Sequence, residues 1–206
     1  MVAKRDQWMS IEDFLALDRE SLDQKYEYRD GHMYALAGGS GNHALIISNT
    51  NTLISQHLKK SPCVTLVEMT LKIEDACFLP DVMVTCNEQD IQENKTYMES
   101  PKLVIEVLSP STEKGDKEEK FLCYMECPSI QEYVLISQDV MLVQTYTRKG
   151  PEWIYHSYIQ GENVELRSIG LIVPIEEIYD KVTLSPRKLL RRYRKKNKQW
   201  NKSNSN

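Results

Sequence analysis

The sequence predicts an α/β domain built on a mixed central β-sheet flanked by α-helices, and three observations carry that prediction. Short helix-like and strand-like segments alternate along the chain, with no internal repeat and no domain-separating linker. Residues 63–74 alternate strictly: Cys63, Thr65, Val67, Met69, Leu71 and Ile73 share one face, and Glu68, Thr70, Lys72 and Glu74 share the other. Residues 78–86 and 103–108 are short and apolar, as strands covered on both faces are.

The elements follow in order. Ser10-Ile11-Glu12-Asp13 is a Ser-x-x-Asp cap signal that opens a short helix. Residues 26–37 read as two strands turning at Asp30-Gly31, a dipeptide suited to a tight hairpin. A loop containing Gly38, Gly39 and Gly41 leads into a helix over residues 42–60. Its spacing puts Leu45, Ser48/Asn49, Thr52/Leu53 and Gln56/His57 on successive turns. After the strands above, a helix is expected from about Asp116 to Cys127, stopped by Pro128. Strands are expected again at 132–137, 140–147 and 152–158, and a last short helix near Pro174.

Composition narrows the classes. With 206 residues, 41% hydrophobic and 27% charged, the chain reads as a soluble protein with one core. No apolar run approaches the ~18 residues of a membrane span. The first residues lack an apolar stretch behind their charges, so no secretory signal is expected. Five cysteines (Cys63, Cys77, Cys86, Cys123, Cys127) without a CxxC pair predict free thiols in a reducing cytoplasm rather than a metal cluster. All 30 acidic residues lie in 1–185 against 17 basic ones, whereas 186–206 holds nine Lys and Arg and no acid. The reading is one domain over 1–185 and a basic tail over 186–206 that contacts a polyanion or simply stays solvated.

Two carboxylates stand out. Burying an unpaired charge costs several kcal/mol, yet Asp81 lies in Leu79-Pro80-Asp81-Val82 and Glu106 inside Leu103-Val104-Ile105-Glu106-Val107-Leu108. If the two strands are neighbours, both acids converge on one sheet edge and form a pair suited to Mg²⁺. Spacing alone fits two acids salt-bridged to nearby bases equally well. Lys120 adds a cation that could serve an attacking water. Asp116 and Glu119 form an Asp-x-x-Glu box that makes Asp116 a helix N-cap, with Asp116, Lys120 and Tyr124 on one helix face. The plainer readings are a cap, a surface lysine and a core tyrosine.

Five blocks occur in order: Lys25-Tyr26-Glu27-Tyr28-Arg29-Asp30-Gly31; Ala37-Gly38-Gly39-Ser40-Gly41-Asn42-His43; Leu79-Pro80-Asp81-Val82; Val104 to Thr112; and Asp116-x-x-x-Lys120. Together they resemble the Uma2 family of restriction-endonuclease-like proteins, within the PD-(D/E)xK nuclease superfamily, over roughly residues 10 to 175. The resemblance implies a restriction-endonuclease-like core with Mg²⁺, which Mn²⁺ can replace. It makes Asp81 and Glu106 metal ligands, Lys120 the catalytic cation, and Glu27 the acid completing the site. His43 and Asp116 are accessory positions, His43 matching a family histidine that could equally be a plain helix-start residue. The superfamily's Glu-x-Lys signature would place lysine at position 108, where this chain has Leu108. The lysine is therefore expected from the following helix.

The leading expectation is a metal-dependent endonuclease acting on double-stranded DNA, homodimeric and cytoplasmic, with Arg187, Lys188, Arg191 and Arg192 of the tail on the nucleic acid. The alternative is a catalytically inactive nucleic-acid-binding or protein-interaction module on the same fold, favoured by the acidic body, which repels phosphate. A small-molecule hydrolase finds no support in any nucleophile elbow, phosphate loop or zinc motif.

Overall fold

In the computed structural model the described residues are 3–4, 8–21, 23–109 and 113–184. The tail, with Arg187, Lys188, Arg191 and Arg192, lies outside them. Ser10 caps α1 (Ile11–Glu20), its hydroxyl accepting the Asp13 amide hydrogen as the cap signal predicts. β2 (Tyr26–Arg29) and β3 (His32–Ala35) form the expected hairpin, which β1 (Ala3–Lys4) extends. Asp30 and Gly31 both take positive φ, 50° and 75°, the conformation such a two-residue turn needs.

α2 (Gly41–Leu58) starts at a Ser40 cap and buries Ile46, Thr50, Ile54 and Leu58. That stripe lies one position on from the face expected from Leu45, which is itself partly exposed. Isoleucines flank both stripes, so periodicity alone cannot choose between them. Each fully buried isoleucine contributes about 1.5–3 kcal/mol.

The alternating run 63–74 is not one strand. It divides into β4 (Val64–Val67) and β5 (Thr70–Ile73), broken at Glu68, whose φ of 49° is left-handed. Residues 78–86 divide likewise into β6 (Ala76–Phe78) and β7 (Val82–Thr85) around Pro80, which cannot donate to a ladder. Beyond a 3-10 turn at Glu88–Ile91 come β8 (Tyr97–Met98), β9 (Leu103–Leu108), β10 (Glu132–Ser137), β11 (Leu142–Lys149), β12 (Glu152–Ile159), β13 (Asn163–Leu166), β14 (Leu171–Pro174) and α5 (Ile175–Ile178). The α/β class with mixed pairing holds, and the strands divide over two six-stranded sheets. One runs β1-β3-β2-β6-β5-β8; the other runs β12-β11-β10-β9-β7-β4; β13 and β14 pair separately.

A third correction concerns residues 116–127. The chain forms α3 (Glu113–Lys117) and α4 (Glu119–Glu126), with Glu118 as a turn residue between them. Asp116 therefore lies buried within α3 and is not an N-cap. The fourth concerns the thiols. Val64 pairs with Thr85 across β4 and β7, which brings the flanking Cys63 and Cys86 side by side, and they form a disulfide. Cys77, Cys123 and Cys127 are free.

Three apolar clusters hold the layers. Phe14 of α1 packs with Tyr26, Tyr28, Met33 and Cys77 on the outer face of the first sheet. Leu71 and Phe78 of that sheet meet Met83, Val104, Leu108 and Leu135 of the second, together with Tyr124 of α4. On the second sheet's other face, Leu103, Ile105 and Val107 pack against α2 and α5. Glu132 ties the β13–β14 unit to this body. Fully buried, it accepts hydrogen bonds from the Thr147 hydroxyl, the Arg167 amide, and the Ser168 amide and hydroxyl. Glu132→Ala orphans those donors and is expected to cost about 2–4 kcal/mol, read as a lower urea midpoint at unchanged slope.

Candidate active site

The two anomalous carboxylates meet because β7 and β9 are neighbours. Their antiparallel register pairs Val82 with Ile105, so Asp81, one residue ahead of β7, falls opposite Glu106. Strand alternation puts Glu106 on the face of Val104 and Leu108, toward the first sheet and α4, and away from α2. Asp81 Oδ2 accepts the Val107 amide hydrogen at 2.6 Å and lies 3.4 Å from His43 Nε2. That histidine comes from the first turn of α2.

Lys120, near the start of α4, reaches Glu106 from the helix side. Its Nζ lies 2.7 Å from Glu27 Oε1, 3.0 Å from Glu106 Oε1 and 3.1 Å from Asp116 Oδ1. An ammonium has three N–H donors, and three carboxylates surround this one. Glu27 arrives from β2 of the first sheet, and its Oε1 also accepts the Leu79 amide hydrogen at 3.3 Å. Asp116 and Lys120 are four residues apart, the spacing that brings side chains together along a helical stretch.

Two tyrosines complete the cluster, and sequence reading gave neither a role. Tyr124 donates its hydroxyl to Glu106 Oε1 at 3.1 Å, and Tyr133 of β10 donates to the Asp116 carbonyl at 2.9 Å. Tyr124 shares a helix face with Lys120, so the spacing held a signal; nothing in the sequence marks Tyr133.

Burial dominates the electrostatics. It pushes the Glu106 carboxyl well above the usual range; Lys120 pulls it down, and Asp116, Asp81 and Glu27 push it further up. Burial works against the charge on Lys120, but Glu106, Glu27 and Asp116 outweigh it and hold the ammonium well above its ordinary value. His43 behaves alike: burial lowers it, yet Asp81, with the Val107 carbonyl and Asp116, leaves it raised.

The donor set suits a hard cation. Mg²⁺ commonly takes one or two carboxylates and keeps several waters. Asp81 and Glu106 each commit one oxygen, Oδ2 and Oε1, to the contacts above. No hydrogen bond or ion pair among the described residues engages Asp81 Oδ1 or Glu106 Oε2. The described residues contain no group of three or more His, Cys, Asp or Glu arranged to enclose a metal. The fit is to an ion held by two carboxylates and completed by water.

The end of the described chain also comes here. Asn42, next to His43, donates its side-chain amide to the Thr183 carbonyl at 2.9 Å.

The family profile of Uma2, described as "Putative restriction endonuclease", matches residues 11–176. The chain belongs to the Uma2 family. Among its relatives, the uncharacterised protein slr1290 of Synechocystis sp. is 36% identical over 176 residues, covering 83% of this chain and 91% of that protein. The uncharacterised protein sll1609 of the same organism is 32% identical over 151 residues, covering 71% and 85%. A crystal structure from Anabaena variabilis, described as "a putative nuclease belonging to DUF820", matches with a TM-score of 0.70. It covers 85% of this chain and 99% of its own at 19% identity, a likeness of fold. Of the positions that the Uma2 resemblance singles out, Lys120 contacts Glu27, Glu106 and Asp116, and His43 contacts Asp81, which lies opposite Glu106 across the two strands.

Proposed function

We propose that this Uma2 protein is a divalent-metal-dependent endonuclease that hydrolyses phosphodiester bonds in double-stranded DNA. The observation that carries the reading is that Asp81 lies opposite Glu106 across neighbouring strands, while Lys120 of the following helix reaches the Glu106 carboxylate. Asp81 and Glu106 would hold Mg²⁺ or Mn²⁺ through the oxygens left out of their internal contacts. When bound, such an ion would supply an activated water and positive charge against the phosphate. Lys120 would be the cation that assists the attacking water, held in place by Glu27 and Asp116. Tyr124 fixes Glu106 by sharing its Oε1 with Lys120.

Residues 1–185 form the catalytic domain in this reading. The nine basic residues of 186–206 grip the DNA backbone, with Arg187, Lys188, Arg191 and Arg192 foremost. A homodimer suits cleavage of both strands. No described helix is long and apolar enough to cross a membrane, and a cytoplasmic setting fits access to DNA.

One observation favours the non-catalytic alternative. All three Lys120 donors have a carboxylate within reach, and catalysis needs one of them freed. Plasmid cleavage decides. The purified protein is expected to relax or linearise plasmid DNA with Mg²⁺ or Mn²⁺, and Asp81→Ala to abolish this while leaving the thermal transition cooperative. A folded wild type that binds DNA and cuts nothing with either ion would leave the binding module standing.

A further inference from the structure

The loop entering α2 carries Gly38, Gly39 and Gly41, and only one of them has a neighbour where its side chain would be. A Cβ on Gly39 would come within 2.7 Å of His43 Nδ1 and 3.1 Å of His43 Cγ. A Cβ on Gly38 or Gly41 would meet nothing within 4 Å. Gly39 does not take a positive φ, so its backbone does not demand glycine. The neighbour does: the bare Cα of Gly39 is a seat for the imidazole.

The other side of that ring faces Asp81. The His43 backbone is pinned by its amide hydrogen bond to the Ser40 hydroxyl at 3.2 Å. From there Nε2 lies 3.4 Å from Asp81 Oδ2, the oxygen that also accepts the Val107 amide hydrogen. Oδ2 is thus held from α2 and from β9 together, and the carboxylate cannot swing without breaking one contact. No described residue hydrogen-bonds to Oδ1, the oxygen facing a ligand in this reading.

We propose that His43 is a positioning residue that orients Asp81 as a metal ligand, and that Gly39 is bare because any larger side chain would displace the ring. This rests on the reading of Asp81 as a ligand. Groups that orient metal ligands typically change metal affinity or activity by about 10–100-fold when removed. The test is Mn²⁺ titration of the full-length protein by calorimetry, with thermal melts in parallel. Gly39→Ala and His43→Leu are expected to weaken Mn²⁺ binding by about tenfold or more, whereas Gly38→Ala matches the wild type. His43→Gln, whose amide can reach the Nε2 position, is expected to recover most of the affinity lost in His43→Leu. Unchanged affinity in both Gly39→Ala and His43→Leu overturns the proposal while leaving the metal site in place. A wild type that binds no Mn²⁺ overturns the metal site and the positioning role together. Loss of affinity in Gly38→Ala equal to that in Gly39→Ala would also overturn it, since the loop as a whole would then be responsible.

Discussion

Lys120→Met is expected to destabilise the protein by about 3–5 kcal/mol at pH 8, the usual cost of removing one partner from a buried ion cluster. Glu27, Glu106 and Asp116, all buried, would face one another without their shared counter-ion. The loss should depend on pH in a definite direction. Glu106 is raised above its ordinary value even with Lys120 beside it, and without the lysine it rises further. A carboxyl whose folded pKa exceeds its unfolded one favours folding below the unfolded value, about 4.3 for glutamate, and loses that favour as pH climbs through the folded value. The variant should therefore come closer to the wild type at pH 5 than at pH 8. Lys120's own contribution is complete at both values, because its folded pKa is raised and the contribution fades only above about 10.4. Urea midpoints at the two pH values measure the difference. An equal loss at both would mean that the carboxylates are not the source.

Glu106→Gln should do the opposite: keep the fold and lose the reaction. Three carboxylates surround one ammonium with Asp81 close by, so the cluster carries excess negative charge. A neutral amide of the same shape removes one of those charges, and its oxygen can still accept from Lys120 and Tyr124. Stability at pH 8 is expected to stay level or rise by about 1 kcal/mol, within the range of gains seen when functional strain is relieved. The oxygen proposed for the metal, however, becomes an NH₂ group that cannot ligate a cation. Losing several kcal/mol of metal assistance at 1.36 kcal/mol per decade predicts a fall in cleavage of about a thousandfold. Melting curves and plasmid relaxation on one preparation check both halves. A lower melting temperature with cleavage intact would refute the assigned role.

The sequence showed the parts more clearly than their arrangement. Ser10 and Asp30-Gly31 were legible because caps and tight turns are local chemistry. The break at Glu68 was not, because β4 and β5 continue one alternating pattern across a left-handed residue and then join different sheets. The Cys63–Cys86 bridge was missed for a related reason: it depends on the pairing of β4 with β7, a contact that spacing does not state. At the site, acids inside apolar strands were anomalies visible on their own. Glu27 became a member only through family resemblance, since an acid in a strand of aromatic residues carries no mark of a second sheet docking over it. Asp116 was placed beside Lys120 by its i, i+4 spacing, as the structure has it. The cap reading failed because Asp116 lies inside a short first helix rather than at the start of one.

The division of strands over two sheets has a consequence for when the protein becomes competent. Glu27 belongs to one sheet, Glu106 to the other, and Asp81 sits on the short span that carries the chain from β6 to β7 between them. The two proposed ligands share the second sheet, but Lys120 gains its full set of carboxylates, with Glu27 from the first, only as the two sheets dock. On the proposed reading, a partly folded chain or a proteolytic half would carry the ligands without the buried setting of their lysine. By the same linkage, an ion that binds only the docked form would strengthen the seam between the sheets, raising the stability of the whole molecule by RT ln(1 + [L]/Kd).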